Sequence, residues 1–119
     1  MHTFDYALVD FFHIDRILRV GGVAVLDDAN MPSVRKVCRY IVTNRSYSVF
    51  RCLIPRDHGV SVRTRVARTL RGVAGGARRM LKPELAEFDA ELGLVPGSRC
   101  IAFKKESEDT RQWDFHRVF

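Results

Sequence analysis

The sequence predicts an α/β fold in which a short apolar strand is covered on both faces, as in a parallel sheet. The main observation is an unbroken apolar run from Val23 to Leu26, which is typical of a strand buried on both faces. Helical patterns flank this run, and two later segments, Tyr47 to Ile54 and Ser98 to Lys105, are rich in β-forming residues between turn signals. We therefore expect helix, strand and helix, followed by two further strands, in three layers.

Length and composition indicate one domain with an ordinary core. The chain has 119 residues, a net charge of +6 and 46% hydrophobic residues. No apolar run reaches the ~18 residues of a membrane span, and no signal-peptide pattern opens the chain. Cys38, Cys52 and Cys100 lack C-x-x-C spacing, which predicts reduced thiols in a cytoplasmic protein rather than a zinc site. The positive charge predicts weak attraction to polyanions and does not by itself define a nucleic-acid-binding protein.

The first helix is predicted from Phe4 to Leu18. Thr3 suits its N-cap, Asp5 suits the positive end of its dipole, and Gly21 is placed to end it. Its apolar residues spread over more than one narrow stripe, so we expect burial against the sheet on one side and another chain on the other. His13 is interpreted as a packing residue because no second ligand lies at helical spacing.

The second helix is predicted from Pro32 to Thr43, with Asn30 or Ser33 as its cap and proline in its first turn. Its apolar residues recur at i, i+3, i+4 and i+7. They are Val34, Val37, Cys38 and Ile41. The basic residues on the other side are interpreted as a solvated face. They are Arg35, Lys36 and Arg39.

A long connection, Arg56 to Val95, separates the last two predicted strands. Its arginine-rich part, Val60 to Leu81, either binds nucleic-acid phosphates or pairs with the acidic helix predicted from Pro83 to Leu92, which Gly93 ends. The chain has no aromatic RNA-binding motif and no helix-turn-helix pattern, which disfavours nucleic acid. The tail, Glu106 to Phe119, is interpreted as a polar hairpin or loop that returns to pack an aromatic edge.

Three stretches carry a resemblance to a known family: Phe4 to Asp10, Leu18 to Asp28, and Pro32 to Val37. Together they resemble class I S-adenosylmethionine-dependent methyltransferases, in the branch with a catechol O-methyltransferase-type site (methyltransferase family 24). The resemblance covers roughly Met1 to Ile54, and the rest only by element order. It implies the C-terminal half of a Rossmann-like doubly wound sheet, in which Val23 to Leu26 is the fifth strand and the last two strands form an antiparallel edge.

The resemblance also implies site residues. His2 matches a histidine that lies near the cofactor, and Asp27 and Asp28 match an acidic pair that completes a Mg²⁺ site in metal-dependent members. There the metal anchors the hydroxyls of a small-molecule acceptor and lowers their pKa. The family's glycine-rich loop and ribose-binding acid have no counterpart here. The resemblance therefore implies a truncated methyltransferase, inactive alone and binding no S-adenosylmethionine, with one partial domain divided into residues 1–54, 55–97 and 98–119.

Other interpretations of the same residues stay open. Adjacent strand residues point to opposite faces, so only one of Asp27 and Asp28 faces a common site unless the backbone bends. Asp28 or Asn30 alternatively caps the next helix. At the level of function, the alternatives are a non-catalytic dimerising domain and a basic nucleic-acid-binding module. In the first, the open edge of Val23 to Leu26 or the helix from Phe4 to Leu18 pairs with another copy.

Overall fold

The computed structural model describes residues 3–54 and 83–119. His2 and the arginine-rich segment lie outside these residues. The elements are α1 (Phe4–Ile17), β1 (Val23–Leu26), α2 (Pro32–Asn44), β2 (Tyr47–Leu53), α3 (Pro83–Glu91) and β3 (Cys100–Lys105). Their order and kind agree with the prediction, with small differences at their ends. Within the described ranges, no helix has the length and apolar character needed to cross a membrane.

The three strands form a small open sheet in the order β1-β3-β2, with β3 antiparallel to both neighbours. β1 and β2 therefore run parallel to each other, and α2 connects them in a split β-α-β unit. The prediction that Val23 to Leu26 is covered on both faces as in a parallel sheet is wrong for the described residues. Its only described neighbour is antiparallel, and Val23 and Val25 are 43% and 58% exposed. A four-residue apolar run does not distinguish a central strand from an edge strand.

One face of the sheet packs against the helices to form the core. Ile101, Phe103 and Lys105 alternate along β3 as its buried positions. From α1, the Phe11 ring meets the Tyr47 ring edge to face, with the centroids 5.3 Å apart. Further core residues come from α2 and from the segment before β3. They are Val34, Val37, Cys38, Ile41 and Leu94.

The ends of α1 are only partly as predicted. Thr3 occupies the N-cap, although its side chain makes no capping hydrogen bond to the backbone of the first turn. The helix ends at the C-cap Leu18, in extended conformation, and Gly21 lies further along with a positive φ of 81°. Gly21 therefore does not end the helix. Instead, the ammonium of Lys105 donates to the carbonyl oxygens of Asp15 and Leu18, both at 2.9 Å, so a lysine satisfies the terminal carbonyls.

The start of α2 differs from the prediction. The N-cap is Met31, so neither Asn30 nor Ser33 occupies this position. Met31 has φ −77° and ψ 135°, the extended conformation that a following proline favours. Pro32 is then the first helical residue, where its missing N–H costs no hydrogen bond because the first N–H groups of a helix have no acceptor within the helix. The proline, rather than a polar cap, sets where this helix begins.

The tail returns to the helices, as predicted for its aromatic end. The Asn44 side chain donates to the Arg117 carbonyl oxygen and accepts from the Arg117 N–H, both at 2.8 Å. Beyond this clamp, the Phe119 ring lies 5.2 Å from Tyr40 and stacks 6.4 Å from Phe4. The last residues therefore pack against both α2 and the start of α1 and hold them together.

Candidate functional site

The acidic pair lies at the carboxyl end of β1, and β3 brings two partners to it. Asp27 Oδ1 accepts hydrogen bonds from the Cys100 thiol at 3.0 Å and from the Asp28 backbone N–H at 2.8 Å. Arg99 Nε lies 3.4 Å from Asp27 Oδ1 and 3.9 Å from Asp28 Oδ1. Sequence reasoning found the acids and missed Arg99 and Cys100. The missing signal is the antiparallel register, in which Leu26 pairs with Ile101.

A backbone bend lets both carboxylates approach the same guanidinium. Asp28 has φ 53°, in the left-handed region that aspartate tolerates better than most residues. The turn is held by two backbone bonds, from Ala29 N–H to the Arg99 carbonyl at 2.7 Å and from Met31 N–H to the Asp28 carbonyl at 2.8 Å. The alternation of side chains between the two faces of the strand therefore ends at Asp27.

The thiol and the carboxylate shift each other's pKa in opposite directions. The hydrogen bond from Cys100 lowers the pKa of Asp27, helped by the Asp28 N–H and by Arg99. The same hydrogen bond raises the pKa of Cys100 above its usual value. Asp27 is therefore a carboxylate at neutral pH, and Cys100 is a protonated thiol rather than an activated nucleophile.

Asp27→Asn is expected to speed the alkylation of Cys100. Without the charged acceptor, the thiol pKa falls, and each pKa unit changes the thiolate fraction by about tenfold below the pKa. Alkylation by iodoacetamide at pH 8.5, followed by peptide mass spectrometry, measures the rate. Cys38 is the internal control, because burial raises its pKa to about 12 and should keep it unmodified in both proteins. An unchanged Cys100 rate would show that Asp27 does not hold this proton.

The arrangement does not fit a magnesium ion as it stands. Mg²⁺ prefers about six oxygen ligands in octahedral geometry. Asp27 and Asp28 supply carboxylates, but Arg99 already provides positive charge between them and Cys100 is a soft ligand. Across residues 3–54 and 83–119, no group of three or more histidine, cysteine, aspartate or glutamate side chains could hold a metal. Magnesium binding by the acidic pair stays a prediction, and so does the cofactor role of His2.

A second charged cluster lies buried between α2 and α3. Asp89 Oδ2 accepts from Arg35 Nε at 3.0 Å, and Asp89 Oδ1 accepts from Arg39 Nε at 2.6 Å. The Arg35, Arg39 and Asp89 side chains are only 8%, 9% and 4% exposed. The interpretation of Arg35 and Arg39 as a solvated face is therefore wrong. They bind the acidic helix to α2, which makes this cluster structural.

A third cluster joins α1 to the sheet. Asp15 pairs with Arg45 and accepts a hydrogen bond from the Tyr47 hydroxyl at 2.7 Å. Burial raises the pKa of Tyr47, so its hydroxyl stays a donor to Asp15. Lys105 Nζ lies 3.6 Å from Asp15 Oδ1 and 2.8 Å from Glu108 Oε2. These side chains satisfy one another and position α1.

An apolar cavity of about 260 Å³ lies beside this third cluster. Its lining comes from one side of α1 and from the end of α2. The residues are Leu8, Val9, Phe11, Phe12, Tyr40 and Arg45. The guanidinium of Arg45 is already engaged by Asp15 and by Asp109, the latter at 2.8 Å. The acidic pair at the end of β1 is therefore the better candidate for a functional site.

Comparison with known proteins adds no family to these observations. No protein-family model, curated protein or solved structure matches the chain. The resemblance to methyltransferases is therefore carried by the sequence motifs alone, and the function that it implies is a proposal.

Proposed function

We propose that this chain forms the acceptor side of an S-adenosylmethionine-dependent methyltransferase-like α/β domain and is inactive without a cofactor-binding part. The observation that carries the proposal is the split β-α-β unit with two acids at its end. β1 and β2 run parallel, and their carboxyl ends lie together, because Leu26 pairs with Ile101 and Leu53 with Cys100. In α/β sheets, ligands bind at the carboxyl ends of the strands.

The antiparallel pairing of the last two strands supports the same proposal. The family resemblance implies an antiparallel edge at this end of the sheet. β2 and β3 pair antiparallel from Tyr47 with Lys105 to Leu53 with Cys100, with an irregularity between Val49 and Arg51. Because this pairing inserts β3 between two parallel strands, the sheet has the mixed directions that the resemblance implies.

In this proposal, the acidic pair orients the acceptor. S-adenosylmethionine supplies the reactive methyl group when it is bound. Asp27, a carboxylate at neutral pH, accepts a hydrogen bond from an acceptor hydroxyl, and Arg99 holds that carboxylate in place. Fixing the oxygen in line with the methyl group supplies the rate enhancement that positioning gives. The acceptor is a small hydroxyl compound.

Calorimetric titration with S-adenosylmethionine tests the proposal. The 119-residue chain is expected to show no stoichiometric site, because its sequence has no Gly-x-Gly loop to approach the cofactor. A polypeptide that joins a cofactor-binding half with such a loop to this chain is expected to bind. Glycine-to-valine substitution in that loop is the control. Tight binding by the 119 residues alone, or no binding by the joined polypeptide, would contradict the proposal.

We propose a non-catalytic dimerising domain as the second candidate, because a specific observation favours it. Within the described part of the chain, β1 pairs with β3 alone and its other edge meets no strand. Ile17 and Val20, which lead into this strand, are 85% and 48% exposed. An apolar, unpaired strand edge is a template for association. The arginine-rich segment lies outside the described residues, so nucleic-acid binding by this segment stays a prediction.

A further inference from the structure

The outer edge of β1 offers backbone groups for pairing. The Lys105 N–H donates to the Gly22 carbonyl oxygen at 2.9 Å, and Gly22 stands at the position opposite Lys105 in the β1-β3 register. Because hydrogen-bonded positions alternate along an antiparallel pair, Ala24 is the next residue of β1 to bond β3. Val23 and Val25 therefore direct their N–H and C=O groups away from β3.

A second copy of β1 satisfies this edge symmetrically. If two β1 strands run antiparallel about a two-fold axis at Ala24, each Val23 lies opposite Val25 of the other copy. The backbone N–H and C=O groups of Val23 and Val25 point away from β3 and toward the second copy. Each Val23–Val25 pair across the interface therefore exchanges two backbone hydrogen bonds. Ala24 then lies opposite Ala24 of the other copy, in a pair that exchanges no backbone hydrogen bonds. The Cα atoms of such a pair are only about 4.5 Å apart, and the small alanine side chain fits there. Such an interface closes on itself, as two-fold contacts do.

The charges at the two ends of β1 match in this register. Arg19 precedes the strand, and the acids Asp27 and Asp28 follow it. With Ala24 on the axis, the start of β1, where the Gly22 N–H bonds back to the Arg19 carbonyl oxygen at 2.9 Å, lies toward Asp27 of the other copy. The basic end of each strand therefore lies beside the acidic end of its partner, and symmetry repeats the match. A parallel partner would instead place acids beside acids, which is unfavourable.

We propose that a second copy of this chain pairs antiparallel with β1, with Ala24 on the two-fold axis, to form one continuous sheet across the dimer. The inference rests on the second candidate function and adds the partner, the direction and the register. It is an alternative to the methyltransferase-like proposal, in which the same edge of β1 would pair with the cofactor-binding part. The exposed side chains of Val23 and Val25 gain cross-strand contacts with their counterparts, which adds some apolar burial to the backbone pairing.

Val25→Pro is the first test, because it removes only an outward N–H. Proline is tolerated on an edge strand where its nitrogen does not face a partner, so the β1-β3 pairing is retained. Sedimentation velocity over a concentration series is expected to show dimer for the natural chain and monomer for the variant. Val25→Thr is the matched control, since it keeps the N–H and β-branching and should remain a dimer. Far-ultraviolet circular dichroism verifies that the proline variant is folded.

Charge reversal is the second test, and it does not depend on the proline variant folding. Arg19→Glu and Asp27→Lys each place like charges together at both ends of the interface. Each variant alone is expected to raise the dimer Kd by about tenfold or more. Mixing them in equal amounts restores opposite charges at both ends of the heterodimer, so native mass spectrometry should show the heterodimer well above the twofold excess over each homodimer that random pairing gives. A mixture without that excess would overturn the register.

The outcomes separate the proposals. A natural chain that stays monomeric at all concentrations removes both self-association and this pairing. A dimer that persists in the proline and charge-reversed variants leaves self-association standing and overturns the β1 pairing. Neither result bears on the titration with S-adenosylmethionine, which tests the methyltransferase-like proposal.

Discussion

Asp89→Ala is expected to lower the free energy of unfolding by about 3–5 kcal/mol, the loss typical of leaving buried charges without their partner. Asp89 accepts three hydrogen bonds from Arg35 and Arg39, at 2.6 to 3.1 Å. Within the described residues, the two guanidiniums share this carboxylate, and Arg35 Nη1 is buried without a hydrogen-bond partner. Removing Asp89 leaves two buried cations side by side. Urea unfolding followed by circular dichroism measures the loss.

Two controls separate burial of charge from loss of helix. Glu87→Ala removes a carboxylate from the exposed side of the same helix and should change stability by less than about 0.5 kcal/mol. Replacing Arg35, Arg39 and Asp89 together with Met, Leu and Leu should recover most of the loss, because apolar residues of similar volume often match a buried ion cluster. An Asp89→Ala variant as stable as Glu87→Ala would show that the cluster does not hold α3.

This cluster shows what sequence reasoning could not reach in the fold. The spacing of Val34, Val37 and Ile41 identifies the apolar side of α2, and the structure buries all three. The same pattern assigns Arg35 and Arg39 to solvent. Their partner Asp89 is 54 and 50 residues away, so no local pattern reveals the pairing. Periodicity predicts which residues are apolar enough to bury, whereas burial of a charge depends on a distant counter-charge.

In the candidate site, too, local sequence identifies some of the residues and only the tertiary structure identifies the others. An apolar strand that ends in acids identifies Asp27 and Asp28 from local sequence. Cys100 is 73 residues from Asp27, and it reaches the carboxylate only because β3 runs antiparallel beside β1. The sequence predicts a strand from Ser98 to Lys105, and the family resemblance implies an antiparallel pairing with the preceding strand, but neither fixes the register or the pairing with β1. Strand pairing is a tertiary property, which is also why the prediction of β1 as a strand covered on both faces was wrong.

Lys105→Met is expected to lower the free energy of unfolding by about 3 kcal/mol, because hydrogen bonds to a charged group contribute about 1.5–3 kcal/mol each. The Lys105 side chain is 4% exposed, and its ammonium donates to the carbonyl oxygens of Asp15 and Leu18. Methionine has a similar length and fills the space, so the loss reports the bonds rather than a cavity. The orphaned carbonyls lie at the end of α1, and amide exchange should rise there first.

Lys104→Met is the matched control, since it makes the same change one residue earlier in β3. The Lys104 side chain is 43% exposed, and its ammonium lies 3.5 Å from a Glu106 carboxylate oxygen. An exposed ion pair contributes little, so urea unfolding should show almost no change for this variant. The difference between the two variants isolates the buried ammonium as the group that ends α1. If both lysines cost the same, the end of the helix does not depend on Lys105.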